Sequence, residues 1–416
     1  MAEPRKIQIA VSGGGVAGAA IARALYQQSH IEVNIYESAP EFSERGMAIG
    51  LAINAQRALG KLVPDLEDMF ERAGAVKMNS SRIMLAAGPH AGTKVIDVAE
   101  EKPGKMVHRA ALLHELLEPI PQDRLHTSKK LKDVVQQEES VLLRFEDGSE
   151  AQADALIGAD GIFGSVRAHV LAADHEAVKP VAAGWAGAMN MVPYAQAKAK
   201  LGAEILNERR QFGWISDGGI FIHDVIMGGK MVQCIGTPVN RDTSGAKRIP
   251  IDRQYMEKAF SSCLDLPIAK GMIDASFLFS VPYYADSYEH INAPTYVNGR
   301  VCIAGDAAHA MTPWQGSGAA TAIEDAVVLG ALFAQIRSPG QVEQVLKTYD
   351  AVRRPRSKRI VESSRETGRI LSGIADGVGL DPVKMYDALV DRWGFIHDFD
   401  LDGHIESAIS SLEYMS

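Results

Sequence analysis

The chain predicts an α/β fold: a parallel sheet covered by helices, joined to a region of antiparallel sheet and followed by C-terminal helices. Three observations carry this. Lys6 to Ser12 is an apolar strand-like run that passes through a glycine turn, Gly13 to Gly18, into a helical stretch, Ala19 to Ser29, and on to a second strand, Ile31 to Glu37. Such a succession folds as parallel strands with a right-handed helical crossover. Between Val181 and Tyr284 apolar and polar residues alternate in short runs, which fits antiparallel strands, and beyond Arg300 a short apolar strand leads into long helical stretches.

Taken in order, the turn-rich segment Ser38 to Gly46 leads past Gly50 to a helix-like run from Asn54 to Leu62. Val76 to Val107 reads as short extended pieces cut by glycine and proline, set outside the first sheet. Arg109 to Leu117 returns to helical spacing, and Val134 to Phe145, the turn Glu146 to Ser149 and Ala151 to Ile157 form an antiparallel meander. A helix near Arg253 to Cys263 interrupts the second sheet. Arg300 to Ala304 is a strand and Thr321 to Ile336 an apolar helix; Lys347 to Ile374 reads as an arginine-dense helix pair broken at Pro355. The expected division is residues 1–76, 108–180 and 290–372 in a discontinuous nucleotide-binding domain, 77–107 and 181–289 in a substrate domain, and 373–416 in a helical tail.

Composition sets the outer bounds. With 416 residues, 46% of them hydrophobic, the chain can bury a large core. A net charge of -9 argues against a nucleic-acid partner, which demands a basic face. The three cysteines, Cys234, Cys263 and Cys302, suit neither a disulfide framework nor a metal site, and the start of the chain lacks the pattern of a secretory signal. No run is apolar and long enough to span a membrane. A cytoplasmic protein is expected, with assembly as a homodimer left open.

The first chemical signal is Gly13-x-Gly15-x-x-Gly18 between a strand and a helix, with Glu37 at the end of the next strand. Here Gly13 permits a sharp turn, Gly15 lets a phosphate approach, and Gly18 lets helix and strand pack; Val16 and Ala17 open the helix whose free N–H groups meet a pyrophosphate. Glu37 is placed for ribose hydroxyls, which disfavours the 2'-phosphate of NADP at this site. The turn alone leaves FAD and NAD both open. Gly305-Asp306 follows the strand ending at Ala304, so its carboxylate suits the hydroxyls of a ribityl chain, which a nicotinamide nucleotide lacks. The loop Met311 to Gly318, with Pro313, Gly316, Ser317 and Gly318, offers backbone N–H groups to a flat ring and then opens a helix. Together these favour a Rossmann-type FAD-binding domain.

With Gly158-Ala159-Asp160-Gly161 and the Ser165, Val166 and Arg167 behind it, these segments resemble the single-component (group A) FAD-dependent aromatic monooxygenases, in their salicylate-hydroxylase-like branch, over residues 6 to about 370. The resemblance implies that FAD is reduced by NADH or NADPH as a transient co-substrate. Oxygen then adds as a flavin C4a-hydroperoxide, and a phenolic or other small aromatic compound is hydroxylated. It further implies that Asp160 supports FAD and the nicotinamide encounter, that Arg109 contacts the pyrophosphate and flavin region, that Arg45 and Gly50 belong to a mobile segment beside the flavin, and that Leu131 meets the adenine.

A base or cationic anchor in the pocket would favour the phenolate. His223, on a strand of the second sheet, is the candidate for this catalytic role, with a plain sheet histidine as the alternative, and Pro313 is a second catalytic candidate and a pocket wall against the ring. Trp185, Met189 and Trp214 are candidate pocket walls. Where many relatives carry Trp-Arg-Gly, this chain has Trp185-Ala186-Gly187, which puts a carboxylate anchor in doubt. His309 reads as structural and the arginines at 353, 354, 356 and 359 as a solvated helix face. No metal is expected. Competing readings are an epoxidase or oxygenase acting on a non-phenolic secondary metabolite, and a non-catalytic flavoprotein.

Overall fold

The computed structural model describes residues 5–43, 48–98, 102–208, 210–239, 252–278 and 283–414, with the backbone alone at 283–286. Its first layer is a six-stranded sheet in the order Val297–Asn298, Val301–Ile303, Ala155–Gly158, Ile7–Ser12, Ile31–Tyr36, Leu125–His126. All neighbours are parallel except the hairpin at 297–303. The central strands are apolar because helices cover them: Ile7, Ile9 and Val11 are buried together with Ile21 and Leu25 of the helix Val16–Tyr26, and with Ile323, Val327 and Val328 of the helix Gly318–Phe333. The expected meander is present as Leu131–Gln136, Val141–Phe145 and Glu150–Ala153, after which the chain enters the first sheet.

The second layer is a seven-stranded sheet in the order Tyr283–Glu289, Val181–Pro193, Met231–Pro238, Gly219–Ile226, Gln211–Ser216, Ser81–Leu85, Lys94–Val98. It is antiparallel apart from Gln211–Ser216 beside Ser81–Leu85, which run parallel. The extended pieces between Val76 and Val107 therefore serve two sheets, since Val76–Met78 and Gly104–His108 join Ala48–Leu51 in a small sheet of their own. One face of the seven-stranded sheet packs its Phe212, Phe221 and Cys234 against Met256, Phe260, Met272 and Ile273 of the helical segments that follow it. The other face contributes Ile215 and Ile220 to a cluster with Trp185, Trp314 and Ile370.

Two expectations about the C-terminal part are corrected. Residues 342 to 371 form one helix, Val342–Leu371, with Pro355 inside it rather than a break. Proline costs roughly 3 kcal/mol in a helix interior, but Val345, Leu346, Tyr349, Ile360 and Val361 bury both halves of this helix along one stripe. Two of the four arginines leave the solvated face: Arg353 has 0% of its side chain exposed and pairs with Asp325 and Glu324, and Arg356 also pairs with Glu324, whereas Arg354 is partly exposed and Arg359 exposed.

Candidate active site

Register brings the glycine turn and the two segments that carry Asp160 and Asp306 together. Ser12 lies beside Gly158, and Gly158 beside Ile303, so three adjacent parallel strands end level and release their turns at one edge of the sheet. Open parallel sheets bind ligands at the carboxyl ends of their strands. The turns interlock: a Cβ on Gly13, whose φ is +104°, would lie 2.3 Å from the Ala159 oxygen, and one on Gly18 would lie 2.0 Å from the Gly13 oxygen. A Cβ on Gly305 would lie 2.7 Å from the Ala17 Cβ.

Around this crevice each candidate residue can be placed. Gly15 is the N-cap of the helix Val16–Tyr26, which no side chain caps, so its N-terminus faces the crevice ready for an anion. Glu37 Oε2 accepts from Gly14 N at 2.7 Å, and Oε1 accepts from Ser38 Oγ at 2.9 Å and Ala39 N at 2.7 Å. The carboxylate thus braces the glycine turn while keeping lone pairs for a ribose. Lys129 N donates to Glu37 O at 2.7 Å, which leads Leu131 in beside the same strand end. Asp160 Oδ2 accepts from Val166 N at 3.1 Å while Oδ1 has no hydrogen-bond partner, and burial raises its pKa. Asp306 is exposed between buried neighbours at the sheet edge. Gly316 and Gly318 have open space where a Cβ would stand, with nothing within 4 Å of Gly316 and only Met311 Cγ at 4.0 Å from Gly318. The helix Gly318–Phe333 begins at Ser317 without a side-chain cap. Arg109 is half-buried at the start of the helix Arg109–Leu117, after the strand that faces Gly50. Arg45 lies outside the described residues.

A buried charge network fixes the third segment from below. Asp325 Oδ2 accepts from Gly305 N at 3.1 Å and lies 2.6 Å from His309 Nε2, while Oδ1 accepts from Arg353 Nε at 2.8 Å. Burial pushes the Asp325 pKa up, but His309 and Arg353 outweigh it and hold it down at about 2. Glu324 binds Arg353, Arg356 and Asn54 in the same layer. Arg167 is buried and donates to the carbonyls of Ala177, Ile291, Ala307 and Ala308, tying the second segment to the third, and desolvation lowers its pKa to about 10. The signal that could have revealed this network is Glu324-Asp325 inside an apolar helix, since buried acids demand partners.

The expected substrate pocket is divided by the pleat of the seven-stranded sheet. Trp185 rests edge-on against Trp314 at 5.2 Å, next to Pro313, and its Nε1 donates to Ser372 Oγ at 2.9 Å. Met189 lies beside Ile235, which lies beside Ile222, and all three keep partial exposure on the face turned to that loop. Trp214 and His223 are on the opposite face. Trp214 Nε1 donates to His223 Nε2 at 3.2 Å, and the imidazole stacks on Phe212 at 5.1 Å within the cluster that packs on helices. Burial lowers the His223 pKa to about 3. The catalytic role read for His223 from the sequence therefore loses its geometry, because one residue along a strand is the difference between the two faces.

These features fit FAD, which needs anion-binding helix N-termini, a polar group for its sugar chain and room for a flat ring: the helix N-termini are uncapped, the Asp306 carboxylate is exposed at the sheet edge, and the glycine loop has open space. Comparison with known proteins agrees. Residues 6–364 match the FAD binding domain family. The chain is 32% identical over 419 residues to the 6-methylsalicylate 1-monooxygenase atA of Aspergillus terreus, covering 97% of this chain and 92% of that protein. To a salicylate hydroxylase of Pseudomonas putida it is 30% identical over 420 residues, covering 98% and 95%. Among solved structures, a salicylate hydroxylase substrate complex superposes with a TM-score of 0.83 at 26% identity over 97% of this chain and 98% of that one. The chain belongs to the FAD binding domain family and is an FAD-dependent monooxygenase of the salicylate-hydroxylase-like branch. Among the described residues no helix is long and apolar enough to cross a membrane, and no three metal-ligating side chains cluster.

Proposed function

We propose that the chain hydroxylates a phenolic or other small aromatic compound, using NADH or NADPH and dioxygen. The observation that carries this reading is the level ending of three strands, whose turns form one crevice, together with a partly open apolar row of Met189, Ile222 and Ile235 on the sheet face that packs against Trp185 and Trp314. When bound, FAD supplies the redox chemistry, taking reducing equivalents from the nicotinamide and activating oxygen. The chain's own groups do the holding. The first turn and the Val16 helix N-terminus bind the pyrophosphate, Glu37 and Leu131 the adenosine end, and Asp160, Arg109 and Asp306 the middle. Gly316 to Gly318 and the helix they open stabilise negative charge on the reduced ring, and the Trp185–Trp314 wall shields the aromatic substrate from water.

The test is a panel of phenols and benzoates offered to the FAD-loaded protein, following nicotinamide oxidation and product mass. Stimulated oxidation with a product heavier by one oxygen atom is expected. Protein that folds without taking up FAD, or that oxygenates only non-aromatic compounds, refutes the reading.

A further inference from the structure

Across the four central strands of the seven-stranded sheet, Val181–Pro193, Gln211–Ser216, Gly219–Ile226 and Met231–Pro238, there is no lysine or arginine and a single acid, Asp224. Alternation puts it on the inner face with Ile222 and Gln233, the face that His223 leaves. It is 0% exposed. Gln211 Nε2 donates to Asp224 Oδ2 at 2.9 Å and Gln233 Nε2 to the same oxygen at 3.4 Å, whereas Oδ1 has no hydrogen-bond partner. Gln233 is itself held, since its Oε1 accepts from Ala48 N at 3.1 Å. Burial raises the Asp224 pKa to about 6, so the group is chiefly a carboxylate in mildly basic solution.

A buried acceptor without a donor is costly, and two carboxamides orient this carboxyl so that the same oxygen is always the one left over. Asp224 stands one pleat, roughly 7 Å along the strand, from the partly open Ile222. That distance suits a ring lying on Met189, Ile222 and Ile235 with a hydroxyl at its end. The carboxyl is closed to bulk water, so the bond forms as the ring arrives. An anion there, with no cation on these strands, repels a second anion.

We propose that Asp224 selects the substrate: its Oδ1 accepts the hydrogen bond of a ring hydroxyl, and the preferred substrate is a phenol bearing no carboxylate. This rests on the aromatic hydroxylation proposed above. Two probes share a ring and differ by one carboxylate, 3-methylphenol and 6-methylsalicylate. Their dissociation constants for the FAD-loaded chain, read from flavin absorbance at pH 8, and their stimulation of nicotinamide oxidation form the test. The native protein is expected to bind 3-methylphenol about tenfold more tightly, because both probes carry the hydroxyl and only 6-methylsalicylate brings a second anion toward the Asp224 carboxylate. Asp224→Asn is expected to erase most of that preference, weakening 3-methylphenol and strengthening 6-methylsalicylate with FAD content unchanged. Equal or tighter binding of 6-methylsalicylate by the native protein overturns the proposal, as does an Asp224→Asn protein with both constants unaltered. Should that variant fail to fold, the native ratio decides alone. Stimulation by neither probe, with turnover of a non-aromatic compound, removes the underlying aromatic reading instead, and is told apart because both probes fail rather than rank in the wrong order.

Discussion

Asp325 touches no part of the crevice surface, yet three groups that shape it meet on its two oxygens: the Gly305 amide, His309 and Arg353. Removing one partner of a buried ion pair strands the other, at about 3–5 kcal/mol. Asp325→Asn is therefore expected to lower the melting temperature and to loosen FAD, measured as the ratio of flavin to protein absorbance after gel filtration; full retention would mean that the Gly305–Asp306 turn holds its shape unaided. Asp306→Ala is expected to differ in stability alone, because the side chain is exposed: FAD retention falls while the stability of the apo-protein hardly changes. Gly18→Ala drives a methyl group to 2.0 Å from the Gly13 oxygen. It should yield colourless protein, and a yellow product would show that the turn can open without losing the pyrophosphate.

Elements were legible wherever period and punctuation agreed. The first strand, the glycine turn and the Arg109–Leu117 helix stand where apolar spacing put them. The three motifs were readable as separate segments, but their level alignment is a matter of register between strands up to 291 residues apart in sequence, from Ser12 to Ile303, which spacing along one chain does not encode. The substrate face failed for a smaller reason: His223 and Asp224 are adjacent, the apolar residues on both sides of that strand mask its parity, and only the helices packed on Phe212 and Phe221 decide which neighbour turns inward. Pro355 misled because burial along the Val342–Leu371 helix overrides a local break. Both Pro355 and Ala351, four residues before it, are exposed, so Pro355→Ala is expected to raise stability by about 1–3 kcal/mol. A loss in chemical denaturation would show instead that the proline sets the path of Arg353 and Arg356.

At the scale of the whole molecule, acid is the expected weakness. Burial lowers the pKa of His223 and His290 to about 3 and of His397 to about 4. Between these values and the ordinary value near 6.5 the unfolded chain binds protons that the folded chain refuses, so stability rises with pH there and is lost on acidification. From pH 6.5 to pH 5 each group contributes up to about 2 kcal/mol of that loss. Denaturation at the two pH values should show it, and His223→Phe should flatten the slope while turnover per bound FAD stays the same; an unchanged slope would mean that this imidazole finds its proton in the folded state. The alignment of Ser12, Gly158 and Ile303 has a further consequence for how the protein is made. A ribosome delivers these corners one at a time and the last of them late, so a nascent chain stopped before Val301 can collapse around its first strands but has nothing to close on the coenzyme. Colour should come to the growing polypeptide abruptly, once the turn after Ile303 has left the ribosome.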